Sequence, residues 1–132
     1  MRFLEAMRVF DPSFTSLFLQ IDSHHKLIIV PAGAYKILPQ VIDTEKIDKV
    51  EYKLNGMSLA TKSREETATY IANDEELPQL IESSCLVIKT NDQKLFEIKI
   101  IKKRLNRDTA EFERIQKKTR VAISELFKLI EC

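Results

Sequence analysis

Two adjacent histidines, His24 and His25, are the first residues in this sequence whose types suit chemistry. Imidazole is the usual general base at neutral pH and a common metal ligand. Asp22 is the only nearby group that could join them, so neither a ligand set nor a catalytic set is complete here. Asp22 and Ser23 are also typical of a turn, because both side chains bond the local backbone. We therefore interpret the two histidines as exposed polar residues of a turn.

The positions of the cysteines and glycines further reduce the kinds of functional site that the sequence can form. Cys85 begins an apolar stretch with neither a base nor an activating positive charge beside it, so we expect a small buried side chain and not a nucleophile. Cys85 and Cys132 are not spaced as a C-x-x-C motif. Two cysteines without such spacing favour a reducing compartment, the cytoplasm. The only glycines, Gly33 and Gly56, exclude phosphate-binding and dinucleotide-binding loops. The sequence thus predicts no catalytic residue, no metal site and no cofactor.

A basic cluster between positions 99 and 107 is the best candidate for an anion-binding patch. Such a cluster can meet the phosphates of a lipid head group or a nucleic acid. The whole chain has 21 basic and 20 acidic side chains and a net charge of +1, so its total charge attracts no anion. A solvated face is the alternative interpretation, and the one we favour. The cluster is Lys99, Lys102, Lys103, Arg104 and Arg107, with Arg114, Lys117 and Lys118 as a potential extension.

Alternating apolar residues, separated by turn residues, predict antiparallel hairpins that would position these side chains. The clearest turn is Asn55-Gly56, because both residues tolerate the positive φ of a type I′ turn. Pro39 removes a backbone donor, which indicates an edge strand around it. The seven predicted strands are 14–21, 27–30, 35–42, 47–54, 57–60, 85–89 and 95–101.

Two stretches interrupt this pattern. Residues 1–12 are predicted to be an N-terminal extension. Residues 61–84 carry two basic and six acidic side chains, and we interpret them as an acidic insertion or loop. Within them, Ser63-Arg64-Glu65-Glu66 resembles a capping box and predicts a short helix.

The last part of the chain, 108–131, predicts a long amphipathic helix. Asp108 suits its N-cap, and apolar residues then recur at spacings of three and four without a proline or glycine. A helix of about six turns is longer than a small sheet, so we expect its C-terminal end to protrude as a protein interface. The expected interface residues are Leu126, Phe127, Leu129 and Ile130.

Together these elements predict a single α+β domain spanning residues 1–132. About seven antiparallel strands need one face covered, and a C-terminal amphipathic helix can cover it. Two arrangements fit this count, a barrel like that of pleckstrin-homology domains and an open sheet with the helix packed across it.

Several short motifs follow one another in an order that carries a family resemblance. They are Phe18-x-x-x-Asp22, Lys26 to Pro31, Ile47 to Tyr52, Asn55-Gly56, Leu86 to Lys89, and Asn106 to Phe112 with the Leu126 end. Over roughly residues 17–60 and 85–131, the chain resembles an uncharacterised bacterial domain that is similar to bacterial pleckstrin-homology-like domains. It departs from that family in having no glycine between 61 and 84 and no zinc-ribbon cysteines. The resemblance implies no activity.

Three classes of function remain open at this point. The leading hypothesis is a non-enzymatic interaction or regulatory module that binds a protein, either another protein or a second copy of itself. The second is an anion-binding domain that uses the 99–107 cluster on a lipid head group or nucleic acid. The third is an enzyme with no identifiable catalytic set. No apolar run is long enough for a membrane span.

Overall fold

The structure of this protein, a computed structural model, describes residues 12–16, 18–31, 39–66, 68–70 and 77–130. The predicted N-terminal extension, apart from residue 12, lies outside these ranges, as do residues 35–38 of the predicted strand 35–42 and Cys132. The described residues contain antiparallel sheets and one long helix, which confirms the α+β class.

Eleven strands occur in the described ranges, which is more than the seven that the sequence predicts. They form three separate sheets, with the orders β1-β2-β3-β4, β10-β9-β5-β6-β7 and β11-β8. No barrel closes among these strands, so of the two expected arrangements the open one is present. The elements are β1 (Phe14–Thr15), β2 (Gln20–Asp22), β3 (Leu27–Val30), β4 (Gln40–Asp43), a 3-10 helix (Thr44–Lys46), β5 (Ile47–Leu54), β6 (Met57–Ser63), β7 (Thr69–Tyr70), β8 (Leu80–Ile81), β9 (Ser84–Thr90), β10 (Leu95–Ile101), β11 (Leu105–Asn106) and α1 (Ala110–Leu129).

In the first sheet, one predicted hairpin is present and one predicted strand is not. β2 and β3 pair with Ile21 opposite Ile28, as expected. The prediction of one continuous strand over 14–21 is wrong, because the chain reverses at Ser16. The backbone N–H of Ser16 donates to the Leu19 carbonyl over 2.9 Å. The Ser16 hydroxyl also accepts a hydrogen bond from the Leu19 N–H at 3.3 Å. A serine that bonds the nearby backbone favours a turn over a continuous ladder.

The second sheet is built on two hairpins that the sequence predicts. Asn55 and Gly56 have φ values of 51° and 80° and join β5 to β6. β9 and β10 pair with Ile88 opposite Phe96. β5 lies between β6 and β9, so it connects the two hairpins into one sheet.

The acidic segment 61–84 is only in part a loop, because its described residues contribute to β6, β7, β8 and β9. Leu77 and Ile81 are buried, and β8 pairs with β11. These apolar residues tie the segment to the core despite its net charge. The prediction that the whole segment is a loop is therefore wrong, and its being an insertion stays a prediction.

Residues 64–66 form a bend and not the predicted short helix. The Arg64 side chain folds back toward the 3-10 helix, where Nη2 donates to the Thr44 carbonyl at 2.7 Å and Nε to the Ile47 carbonyl at 3.0 Å. Beside it, the buried Lys62 ammonium donates to the Glu66 carbonyl at 3.1 Å. These bonds hold the backbone in the bend.

Helix α1 begins one residue later than its predicted cap. The Thr109 hydroxyl accepts a hydrogen bond from the Phe112 N–H at 3.2 Å, so Thr109 is the N-cap. Asp108 instead accepts a hydrogen bond from Gln79 Nε2 at 2.6 Å. Glu111 lies in the first turn, where the helix dipole favours a negative charge.

The C-terminal end of α1 is packed into the core, so the expected overhanging interface is wrong. Leu126 and Ile130 are 0% exposed and Phe127 is 3% exposed, while Leu129 is partly buried against the same core cluster. The apolar stripe faces the sheets along the whole helix, and these four residues are therefore needed inside a single copy of the chain.

Candidate binding sites

Two members of the predicted 99–107 cluster lie close to carboxylates of the same chain. Lys103 Nζ lies 3.3 Å from Glu111 Oε1, and Arg104 Nη2 lies 3.8 Å from Glu82 Oε1. Lys99 and Lys102 are exposed, and Lys99 lies on β10 opposite Cys85. The anion-binding role of the cluster stays a prediction.

Arg107, the last member of that cluster, holds the fold together. Its Nη1 donates to the Leu77 carbonyl at 2.6 Å and its Nη2 to Gln79 Oε1 at 3.2 Å. Its backbone N–H donates to the Gln79 carbonyl at 2.8 Å. These bonds connect the end of the acidic segment to the start of α1. The Arg107 guanidinium therefore stabilises the packing of these two parts of the chain.

A groove between α1 and β1 is the first candidate binding site, and we call it the helix groove. It has a volume of about 590 Å³. Its walls are mostly apolar, with the half-buried Phe14 on one side and Val121, which is 49% exposed, on the other. The residues that line it are Phe14, Thr15, Ser16, Arg114, Lys117, Lys118 and Val121.

Three cations border the helix groove. Arg114, Lys117 and Lys118 lie on the solvent side of α1 and are exposed. They form no ion pair or hydrogen bond with the described residues, in contrast to Lys103 and Arg104. The sequence identifies these three residues only as an extension of the 99–107 cluster. Phe14, a hundred residues earlier in the chain, gave no signal that it would lie beside them.

A second candidate lies where the first sheet meets the β9–β10 turn, and we call it the junction cleft. Its volume is about 470 Å³, and β3, β4 and the 3-10 helix form one side of it. His25 lines the cleft, and its Nδ1 lies 2.6 Å from Oδ2 of Asp22, which is 0% exposed. The prediction that His24 and His25 are exposed residues of a turn is confirmed, since both are exposed and lie in the turn at 23–26, and His25 in addition contacts a buried carboxyl group.

Three of the charged groups around the junction cleft have shifted pKa values. The Glu45 pKa is lowered by a hydrogen bond from Lys26 over 2.8 Å, and the Lys26 pKa is raised by the same bond. The Thr90 hydroxyl donates to Asp92 and lowers the pKa of that carboxyl. The ionised form of each carboxylate is therefore the favoured one.

Cys85 is a free cysteine among the described residues, and it is half-buried where the sequence predicts a buried side chain. Burial raises the pKa of its thiol, and the nearby Glu97 carboxylate raises it further. A raised pKa leaves less thiolate at neutral pH, which agrees with the expectation that Cys85 is not an activated nucleophile.

Across the described ranges, no three His, Cys, Asp or Glu side chains come together in a way that could hold a metal ion. In the same part of the chain, no helix combines the length and the apolar character that crossing a membrane requires. No family model, curated protein or solved structure matches this chain. The resemblance to pleckstrin-homology-like domains stays a prediction.

Proposed function

We propose that this protein is a non-enzymatic interaction module that binds a partner protein in the helix groove. The partner presents an amphipathic helix with apolar residues on one face and acidic residues at its edges. One observation carries the proposal: three cations without a partner in the described chain border an apolar groove of about 590 Å³.

Charge complementarity supports an acidic partner. Elsewhere on the surface, Lys103, Arg104 and Lys128 are close to carboxylates of the same chain. Arg114, Lys117 and Lys118 have no such contact with the described residues, and their charge can therefore attract another molecule. An acidic segment across the groove would meet all three of them and fix its register.

The shape of the groove supports a helical partner. Arg114 and Val121 are seven residues apart on α1, which at about 1.5 Å per residue spans about 10 Å along the helix axis. That length accommodates about two turns of a second helix. A helix placed in a groove contacts it through apolar residues spaced three and four apart, which suits the wall formed by Phe14 and Val121.

The charges also discriminate between kinds of partner. A second copy of α1 would bring its own Arg114, Lys117 and Lys118 into the groove, so self-association at this site is opposed by repulsion. Binding to an anionic membrane is stabilised by about 1 kcal/mol for each basic residue near the membrane surface. Three basic residues therefore give only weak attachment. The proposal therefore commits to a different, acidic protein. A cytoplasmic location is part of it, since two cysteines without paired spacing suit a reducing compartment.

Peptide binding tests this proposal. The probe is a labelled 18-residue amphipathic peptide with leucines on one face and glutamates on the other, followed by fluorescence anisotropy. We expect the triple variant Arg114→Gln, Lys117→Gln, Lys118→Gln to bind about tenfold more weakly, because exposed charge pairs contribute about 0.2–1 kcal/mol each. Val121→Ser should also weaken binding, and added salt should weaken the wild-type complex.

The matched control removes the same charge elsewhere, in the triple variant Lys102→Gln, Lys103→Gln, Arg104→Gln. It should change the affinity by less than about twofold. Equal losses in the two triple variants would mean that total charge drives binding and would contradict a groove site. Binding to phosphatidylserine vesicles that exceeds peptide binding and depends on the control triple would instead favour the anion-binding alternative.

A further inference from the structure

Three apolar side chains, which we call its floor, contribute to the junction cleft, and most of the other residues that line it are polar or charged. Leu27, Ile42 and Phe96 line it and are 4%, 2% and 8% exposed. Its volume of about 470 Å³ falls within the usual range of small-ligand pockets, about 300–1,000 Å³. The floor can therefore bury a flat or ring-shaped apolar group.

The carboxylates around the cleft already have partners within the chain. Asp22 accepts from the His25 side chain, and Glu45 accepts from Lys26 Nζ at 2.8 Å. Asp43 Oδ1 accepts the Glu45 N–H at 2.9 Å, and Asp92 accepts the Thr90 hydroxyl. These acidic groups consequently have little attraction left for a cationic ligand.

Two other polar groups of the cleft retain their binding capacity. Lys46 is exposed, and its ammonium makes no hydrogen bond or ion pair within 4 Å among the described residues. His25 uses Nδ1 on Asp22, and because an ionised carboxylate only accepts, Nδ1 carries the proton. The other ring nitrogen, Nε2, has no partner among the described residues, so it is open to a hydrogen bond with a ligand hydroxyl.

We propose that the junction cleft binds a small ring-containing anion that carries a hydroxyl group. The apolar floor would pack against the ring, the Lys46 ammonium would bind the carboxylate or phosphate, and His25 Nε2 would form a hydrogen bond with the hydroxyl group. Asp22 is a positioning residue in this arrangement, because it fixes the tautomer and the orientation of the imidazole. This site is separate from the helix groove, so the two proposals stand or fall independently.

Titration with three related compounds tests the cleft. The probes are 4-hydroxybenzoate, benzoate, which lacks the hydroxyl, and phenol, which lacks the anion. We expect 4-hydroxybenzoate to bind the full chain with a Kd below about 1 mM, and both truncated probes to bind more weakly. The readout is isothermal titration together with the ¹⁵N shift of His25 Nε2, which should move with 4-hydroxybenzoate and much less with benzoate.

Protein variants complete the test. Lys46→Gln should weaken 4-hydroxybenzoate binding about fivefold, the upper range for an exposed charge contact, and leave phenol binding unchanged. Lys49→Gln is the matched control, since Lys49 is an exposed lysine of β5 that does not line the cleft. The proposal is overturned if 4-hydroxybenzoate shows no saturable binding, or if Lys46→Gln and Lys49→Gln bind it equally and the His25 signal does not move.

Discussion

Gln116 is a polar residue inside the apolar stripe of α1, and it is only 3% exposed. Its Oε1 accepts a hydrogen bond from the Tyr52 hydroxyl on β5 at 2.6 Å, and Tyr52 is also 3% exposed. Leaving a buried polar group without its partner costs about 1–3 kcal/mol. The pair therefore fixes how the helix is placed on the second sheet.

A double-mutant cycle measures this coupling. Tyr52→Phe should lower the free energy of unfolding by about 1–2 kcal/mol, because Gln116 then keeps a buried acceptor with one bond fewer. Combining it with Gln116→Leu should cost less than the sum of the two single changes, as measured by urea unfolding. Additive losses would mean that the two side chains act separately.

Among the elements, the accuracy of sequence-based prediction depends on how local the decisive contacts are. The hairpin at Asn55-Gly56 is predicted correctly because its turn residues dictate the backbone. The strand at 80–81 is missed because its partner, residues 105–106, is distant in the chain. Gln116 is missed for the same reason, since only the position of Tyr52 makes a buried glutamine favourable.

The contacts of Arg107 lead to a prediction about the element it holds. Arg107→Gln removes the donors to the Leu77 carbonyl and Gln79 Oε1. Backbone amides in 77–81 should then exchange hydrogen faster, as followed by mass spectrometry, because the β8–β11 pairing loses its support. Lys102→Gln, a nearby change of equal charge, should leave the exchange rates as they are. Unchanged exchange in Arg107→Gln would return Arg107 to the group of potential anion ligands.

At the scale of the whole molecule, buried side chains from all three sheets and the helix form one hydrophobic cluster. The C-terminal turn of α1 belongs to it, although the length of the helix predicts an overhang. Strand lengths alone cannot reveal this, because the core that buries the helix end contains side chains from all three sheets and not from one. The candidate sites are equally hard to predict from the sequence, because the helix groove and the junction cleft are each formed by segments that are distant in the chain.

Leu126→Ala tests whether the helix end serves the core of a single chain. Loss of a fully buried leucine should lower the free energy of unfolding by about 2–5 kcal/mol. The melting temperature of the variant, measured by circular dichroism, should not depend on protein concentration. Val121→Ala, at a site 49% exposed, should change stability by less than about 0.5 kcal/mol. A small effect of Leu126→Ala, with melting that rises with concentration, would restore the interface hypothesis.

The central position of β5 has a consequence for how fast the chain reaches this structure. β5 pairs with β6 across a two-residue turn, but its other neighbour, β9, lies beyond the whole acidic segment. Each hairpin can form alone in about 1–10 μs. The five-stranded sheet exists only after the long loop between β5 and β9 has closed, and the entropy of that closure must be offset before any packing rewards it. We therefore expect closure of the chain between β5 and β9 to be slower than formation of either hairpin.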